Sequence, residues 1–433
     1  MITARLYNRS LIRLILANLL IKPVWILGID RWVQNEVGLL VYGRYYTVWG
    51  LALTAGFLLD LGLTTLLQRE AADPATSSRK LAGLFWIKAL LLLVYFAVIA
   101  GISRLYPALP AHWLFGVAIL QALNSTYVFF RAWVSAAQDF SADVWFSVLD
   151  KFLLIPLSIL WLSGVLFPGS IGIPAFILLQ IATLVFSLGA LIYYLLRRKL
   201  FRVERFTVLP SHLRMALPYA LIVLLMSAQI RLDGFFLTRW SSLGGWEAGR
   251  YAAAIRLVDA ANIVGYLVAS FLLPYLSRHI NDLTTIRSAI DNARNGLLIF
   301  ALTALVGVVA LPSSIASYLY PERSAEIAAL LPTLFCSVLG YSLIHVYGTV
   351  LTARGELRLF QLIIAWALLV HILCSYLWIP EMGAMGSARS TLLSQVLTGL
   401  ALMFAVHRRT GQPQPYSSYL VVIFTTSLIW FLL

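Results

Sequence analysis

A dozen apolar runs, each long enough to cross a bilayer as a helix, constrain this chain more than any single residue does. Crossing the hydrocarbon core takes about 20 mostly apolar residues. Runs of that kind fall at 11–32, 43–66, 81–103, 112–136, 145–167 and 172–196, and again at 213–239, 248–276, 293–316, 325–352, 357–379 and 383–406. A shorter one, Leu420 to Leu433, is a thirteenth candidate: a tilted extra span, an interfacial helix or a truncated end. The apolar fraction is 61% and the charged fraction 12%, against about 45–50% and about 25% in a soluble domain. The expected fold class is therefore an all-α polytopic membrane protein. Arg5, Arg9 and Arg13 stand ahead of L-I-L-A-N-L-L-I, residues 14–21, as in a signal peptide, but no small-residue cleavage site follows, so the run reads as an uncleaved span.

The chain repeats its own opening. Gly43-Arg44-Tyr45, a small turn residue followed by a basic-aromatic pair, opens the second run, and Gly249-Arg250-Tyr251 opens a similar one 206 positions later. Val134 and Val350, each near the end of an apolar run, are 216 apart, and Arg69 and Arg278 are 209 apart. Offsets near half the chain length point to an internal duplication, the usual construction of transporters with a substrate path between related halves. The expected organisation is an N-terminal transmembrane bundle at 1–196, a basic linker at 197–212, a C-terminal bundle at 213–409 and a tail at 410–433.

With a cytoplasmic N-terminus, the short inner loops collect most of the Arg and Lys, and the outer side keeps chiefly Arg104, Arg239 and Arg323. That asymmetry fits the positive-inside rule and accounts for the net charge of +14. Charge spread over many loops argues against nucleic acid as a partner. The basic stretch Arg197 to Arg214 reads as a loop lying on anionic headgroups. Cys336 and Cys374 sit in apolar runs as packing residues.

In order, Y-G-R-Y, D-L-G-L-T-T-L-L-Q-R-E, I-R-L-D-G-F-F-L-T-R-W, A-G-R-Y-A-A-A-I-R-L and V-L-T-A-R-G-E-L-R span nearly the whole chain. Together they resemble the polysaccharide and O-antigen flippases of the multidrug, oligosaccharidyl-lipid and polysaccharide exporter superfamily. The resemblance implies two pseudo-symmetric six-helix bundles around a central cavity that opens alternately inward and outward. It further implies a bacterial inner-membrane location and, as cargo, an undecaprenyl-pyrophosphate-linked oligosaccharide moved from the cytoplasmic to the periplasmic leaflet for surface polysaccharide such as O-antigen or lipopolysaccharide. Polysaccharide polymerase or export machinery are the partners it suggests. Relatives commonly have twelve or fourteen spans, and the thirteenth run departs from both.

Charged residues at mid-bilayer cost about 2.5 to 3.5 kcal/mol each on insertion scales, so those retained usually face a cavity or a partner. Lys22, Arg131, Lys151, Arg231, Arg256 and Arg389 are the basic candidates within spans, and a cationic cavity built from them would suit a pyrophosphate. Asn18, Lys22 and Trp25 share one helical stripe, as do Gln121, Asn124 and Arg131, Gln229 and Asp233, and Arg256, Asp259 and Asn262. Bland readings compete: Lys88 can snorkel, Asp150 and Lys151 can be structural, Arg256 and Asp259 can bridge each other, and Arg44 and Arg250 suit interface anchors.

Asp60, Asp233 and Asp259 are candidates for ion coupling, since no Walker loop is present to drive transport with ATP. No cofactor is expected. His345 and His371 lie in separate spans without metal-ligand spacing and read as packing histidines. An ion-coupled multidrug exporter of the same superfamily, a lipid II flippase and a polytopic glycan polymerase or ligase are the alternative functions. The basic excess weighs against the exporter, and the short outer loops weigh against the enzyme.

Overall fold

The computed structural model describes residues 20–64, 67, 78–137, 139–165, 172–199, 210–278, 283–411 and 413–432. Arg5, Arg9, Arg13, Asn18, Arg69 and residues 200–209 of the basic linker lie outside that set. Every regular element among the described residues is helical, as expected where lipid leaves the backbone to satisfy its own N–H and C=O groups. In chain order the α-helices are α1 (Arg31–Val37), α2 (Leu39–Ala55), α3 (Ser78–Leu105), α4 (Ala111–Ala136), α5 (Phe140–Leu162) and α6 (Ile173–Arg197). There follow α7 (Pro210–Arg231), α8 (Asp233–Trp240), α9 (Gly245–Arg278), α10 (Leu283–Ala310), α11 (Pro312–Leu319), α12 (Ser324–Ala328), α13 (Leu331–Ala353), α14 (Leu357–Met382), α15 (Ala384–Thr410) and α16 (Tyr416–Leu432). Among the described residues nine helices are long and apolar enough to cross a membrane, or ten if Ala220–Arg231 and Asp233–Trp240, bent by 47°, form one broken span.

The expected twelve differ from these in places with physical causes. Residues 11–19 of the first run are not described, and a wide π-helical turn, Val24–Asp30, follows Pro23, whose ring removes a backbone donor. The second run is interrupted: α2 starts at Leu39, passes straight through Gly43, and gives way to a 3₁₀ turn at Gly56–Leu59. Leu61 and Gly62 then take φ of +43° and +79°. Gly43 is thus an interior helix residue, not the turn residue expected. The thirteenth run forms the 17-residue helix α16.

Exposure follows the logic of a lipid solvent. On α14, Phe360, Ile364, His371 and Ser375 are buried while Leu362, Leu369, Leu373 and Leu377 are exposed. The outward face is the more apolar of the two, a surface that water would not tolerate at this extent.

The chain folds into two compact units. The first comprises Met1–Val37 and Val48–Ser227. Its core joins Leu84 and Ile87 of α3, Phe129 and Trp133 of α4, and Leu184 and Leu191 of α6, spacings that keep each set on one helical face. Asp139 caps α5 by accepting the Ala142 N–H at 3.1 Å and also takes the Tyr194 hydroxyl hydrogen bond. Buried Lys88 donates to Leu59 O at 2.5 Å and Ser125 Oγ at 2.6 Å, which ties α3 and α4 to the end of the 3₁₀ turn.

The second unit comprises Gly38–Thr47 and Ala228–Leu433. Nearly all of α13 is buried. Its neighbour α15 approaches so closely that a Cβ on Gly340 would fall 2.5 Å from Gln395 C, and one on Gly399 2.8 Å from Gly340 O. Small residues permit such contact, and close packing is what holds helices together where lipid competes equally for apolar surface. The first part of α2 packs here too: Thr47 Oγ1 lies 2.8 Å from both Gly234 O and Thr238 Oγ1.

Candidate functional site

Charged side chains of apolar helices come together in each unit, apart from the Lys88–Asp60 pair of the first. In the first, Arg131 of α4 pairs with Asp143 of α5, at 3.0 Å from Nε and 2.9 Å from Nη2. Lys151 pairs with its neighbour Asp150 at 3.2 Å and stands 5.0 Å from the centroid of the Trp25 ring. Trp25 stacks on Phe176 at 5.8 Å, and Phe176 on Trp161 at 6.3 Å, so an aromatic column backs the lysine. Lys22 lies within electrostatic range of Arg131, Asp150 and Lys151. Its ammonium meets no carboxylate among the described residues, and its side chain is exposed. The helix that bears it passes directly into the π-helical turn, a distortion frequent at functional sites. The fold thus brings three of the six basic candidates together, one of them, Lys22, in no ion pair among the described residues.

The second cluster gathers Arg231, Arg256 and Asp259. Asp259 is shared: Arg231 Nη1 approaches it at 3.4 Å and Arg256 Nη1 at 3.3 Å. Arg256 also donates to Tyr42 Oη at 2.7 Å and faces the rings of Tyr42 and Tyr46, both at 5.9 Å. Tyr266 and Tyr341 stand within range of the same charges. With Asp233 in range of the same tyrosines, two arginines stand among two carboxylates here.

Adjacent to it is a fully buried carboxylate, Asp233, at the start of α8 where the helix bends. It accepts from Ser387 Oγ at 2.5 Å and Tyr251 Oη at 3.0 Å, with Thr391 Oγ1 at 3.5 Å. His371 Nε2 is 3.3 Å away, off the line of a formed hydrogen bond. The other ring nitrogen, Nδ1, is 3.1 Å from Ser394 Oγ. Gln229, on the same stripe as Asp233, donates instead to Thr398 Oγ1 at 3.1 Å.

The remaining candidates sit elsewhere. Arg389 touches Met382 Sδ at 3.9 Å and the Trp430 ring at 5.3 Å, and shares no contact with the other basic candidates among the described residues. Asp60 accepts the backbone N–H of Thr64 at 3.2 Å as well as its hydroxyl, and lies 3.7 Å from Lys88. Arg250 pairs with Glu247 at 3.0 Å and donates to Glu326 O at 3.1 Å. Sequence reasoning had no signal for His371 beside Asp233, because residues 138 positions apart meet only through packing. Tyr251 had one, its place in the repeated Gly-Arg-Tyr. Among the described residues no group of three or more His, Cys, Asp or Glu could hold a metal ion.

No family model and no curated protein matches this sequence. Solved structures do match its fold. An outward-facing multidrug resistance MATE family transporter of the MOP superfamily superposes with a TM-score of 0.69 at 14% identity, over 93% of this chain and 95% of that one. The bent form of the Vibrio cholerae MATE transporter VcmN gives 0.64 at 16%, over 95% and 98%. A MOP superfamily transporter from Pyrococcus furiosus, described as having a binding pocket of reverse polarity, gives 0.67 at 14%, over 93% and 95%. At these identities the likeness is one of fold: the chain has the all-helical architecture of MATE transporters in the MOP superfamily.

Proposed function

We propose that this protein is a membrane flippase that moves an undecaprenyl-pyrophosphate-linked oligosaccharide from the cytoplasmic to the periplasmic leaflet by alternating access. Transport is supported by the fold, whose solved representatives include outward-facing and inward-facing forms. The observation that carries the cargo assignment is Lys22: an exposed ammonium in no ion pair among the described residues, within range of Arg131 and Lys151 as well as Asp150, in a helix of a membrane protein. A cation retained in that setting is expected to serve an anionic ligand, and pyrophosphate is the anion that a lipid-linked glycan presents. Asp233 is the buried carboxylate that couples transport to an ion gradient.

Export of a drug, in keeping with the multidrug transporters among the solved neighbours, is the competing reading. Cationic drugs call for an acidic pocket, and the first cluster sets Lys22, Arg131 and Lys151 against only Asp143 and Asp150. In reconstituted vesicles, Lys22→Ala is expected to abolish movement of undecaprenyl pyrophosphate between leaflets while the protein still inserts and remains monodisperse. Unchanged movement in that variant, or efflux of cationic dyes by the wild type, would overturn the assignment.

A further inference from the structure

We propose that the second unit holds an anionic phospholipid where α14 begins, with the headgroup phosphate on Arg358 and Arg408 and the acyl chains along the exposed face of α14. The inference stands apart from the cargo assignment. Three helix ends meet at this place: α13 finishes at Ala353, α14 starts at Leu357 and α15 finishes at Thr410. Glu356 accepts from Arg354 Nε at 2.8 Å and has Arg409 Nε at 3.8 Å, which joins the α13–α14 turn to the end of α15. Nearby, Arg294 of α10 approaches Tyr347 Oη of α13 at 3.4 Å, and that hydroxyl lies 3.2 Å from His407 Nε2 of α15. Arg294 and Arg287 share Asp291, at 2.8 and 3.8 Å. Around the three helix ends the described residues thus set Arg354, Arg358, Arg408 and Arg409 against Glu356 alone.

Arg358 and Arg408 are exposed and in no ion pair among the described residues. Helix electrostatics account for only one of them. Arg408 lies in the last turn of α15, where a cation complements the helix dipole. Arg358 is the second residue of α14, where the dipole disfavours a cation and no carboxylate pairs with it to offset the cost. A cation kept at such a position suits an external anion, and a guanidinium can grip phosphate through two parallel hydrogen bonds. The face of α14 beyond it makes that anion a lipid. Leu362, Trp366, Leu369 and Leu373 follow Arg358 along one helical stripe, and all four are exposed. From Arg358 to Leu373 the stripe runs about 22 Å by helix rise, more than the about 15 Å of hydrocarbon in one leaflet. On α15, Phe404, one turn before Arg408, is exposed as well. A free phosphate would gain nothing from this apolar surface, whereas a phospholipid uses both parts, and basic sites beside membrane helices are known to take anionic headgroups.

The test uses the full-length protein in a neutral detergent, titrated with dioleoyl phosphatidylglycerol or dioleoyl phosphatidylcholine, with bound lipid counted by native mass spectrometry. The wild type is expected to retain phosphatidylglycerol in preference to phosphatidylcholine. Arg358→Gln with Arg408→Gln should weaken that binding about thirtyfold, the usual contribution of two basic residues near an anionic surface. Arg197→Gln with Arg198→Gln, which removes the same charge from the exposed end of α6, should leave it unchanged. Should the first pair not fold, Arg358→Gln alone is expected to weaken binding about fivefold. Equal loss in the two double variants, or no preference between the two lipids, would overturn the site. Glycerol phosphate that binds as tightly as the whole lipid would mark a free-phosphate site and overturn the lipid assignment.

Discussion

Gly43 and Gly249, which open the two copies of the repeated Gly-Arg-Tyr, pack against each other's helix backbone in the second unit. A Cβ on Gly43 would fall 2.5 Å from Gly249 N and 1.8 Å from Gly245 O, and one on Gly249 would fall 2.0 Å from Leu39 O. The repeat therefore meets its own counterpart: α2 and α9 touch main chain to main chain, and the neighbouring rings of Tyr46 and Tyr251 lie 6.3 Å apart. Substituting either glycine forces these backbones apart.

Gly43→Ala and Gly249→Ala are each expected to destabilise the protein by more than the about 1–3 kcal/mol typical of overpacking, because the obstructing atoms are main chain and cannot rotate away. Thermal unfolding of the purified variants followed by size-exclusion chromatography checks this. Wild-type melting in either variant would mean that α2 and α9 are not in backbone contact.

Lys88→Met should destabilise the first unit. It strands the carbonyl of Leu59 and leaves Asp60 without its cation. Breaking a buried pair costs about 3–5 kcal/mol, and the lower end applies because the Asp60 side chain is 35% exposed. Adding Asp60→Asn should recover part of the loss in melting temperature. A double variant less stable than Lys88→Met would contradict this pairing.

Glu247 holds the start of α15. It is buried, accepts the Ala384 N–H at 2.7 Å and pairs with Arg250, while Gly383 leaves it room: a Cβ there would lie 2.6 Å from its carboxyl carbon. Glu247→Ala should cost at least about 1–3 kcal/mol for the orphaned amide alone. Amide hydrogen exchange is expected to rise first at Ala384 and the following turn, and protection retained there would remove the capping role.

Asp259 is shared by two arginines, so its loss should be worse than that of either one. Asp259→Asn leaves Arg231 and Arg256 facing each other, and adding Arg231→Gln should restore stability. The expected coupling is about 0.5–3 kcal/mol, measured as a double-mutant cycle on thermal unfolding. An additive cycle would show that the shared carboxylate does not join them.

The sequence alone determined the solvent and the elements. Apolar runs at 81–103, 112–136, 172–196 and 357–379 became α3, α4, α6 and α14 because bilayer thickness and backbone self-satisfaction leave a chain of this composition little else. It also marked Lys22, Arg131 and Lys151, since charge in an apolar run is conspicuous wherever it lies. Tertiary structure decided which charges far apart in sequence are spoken for. Arg131 lies 12 positions from Asp143, and Arg231 lies 28 from Asp259. Pairing at such separations depends on which helices adjoin and how they are rotated. Packing likewise moved Gly43 from an expected turn to a helix contact, and brought His371 to Asp233. Neither is legible in periodicity, which fixes the face a residue occupies but not the helix that face will meet.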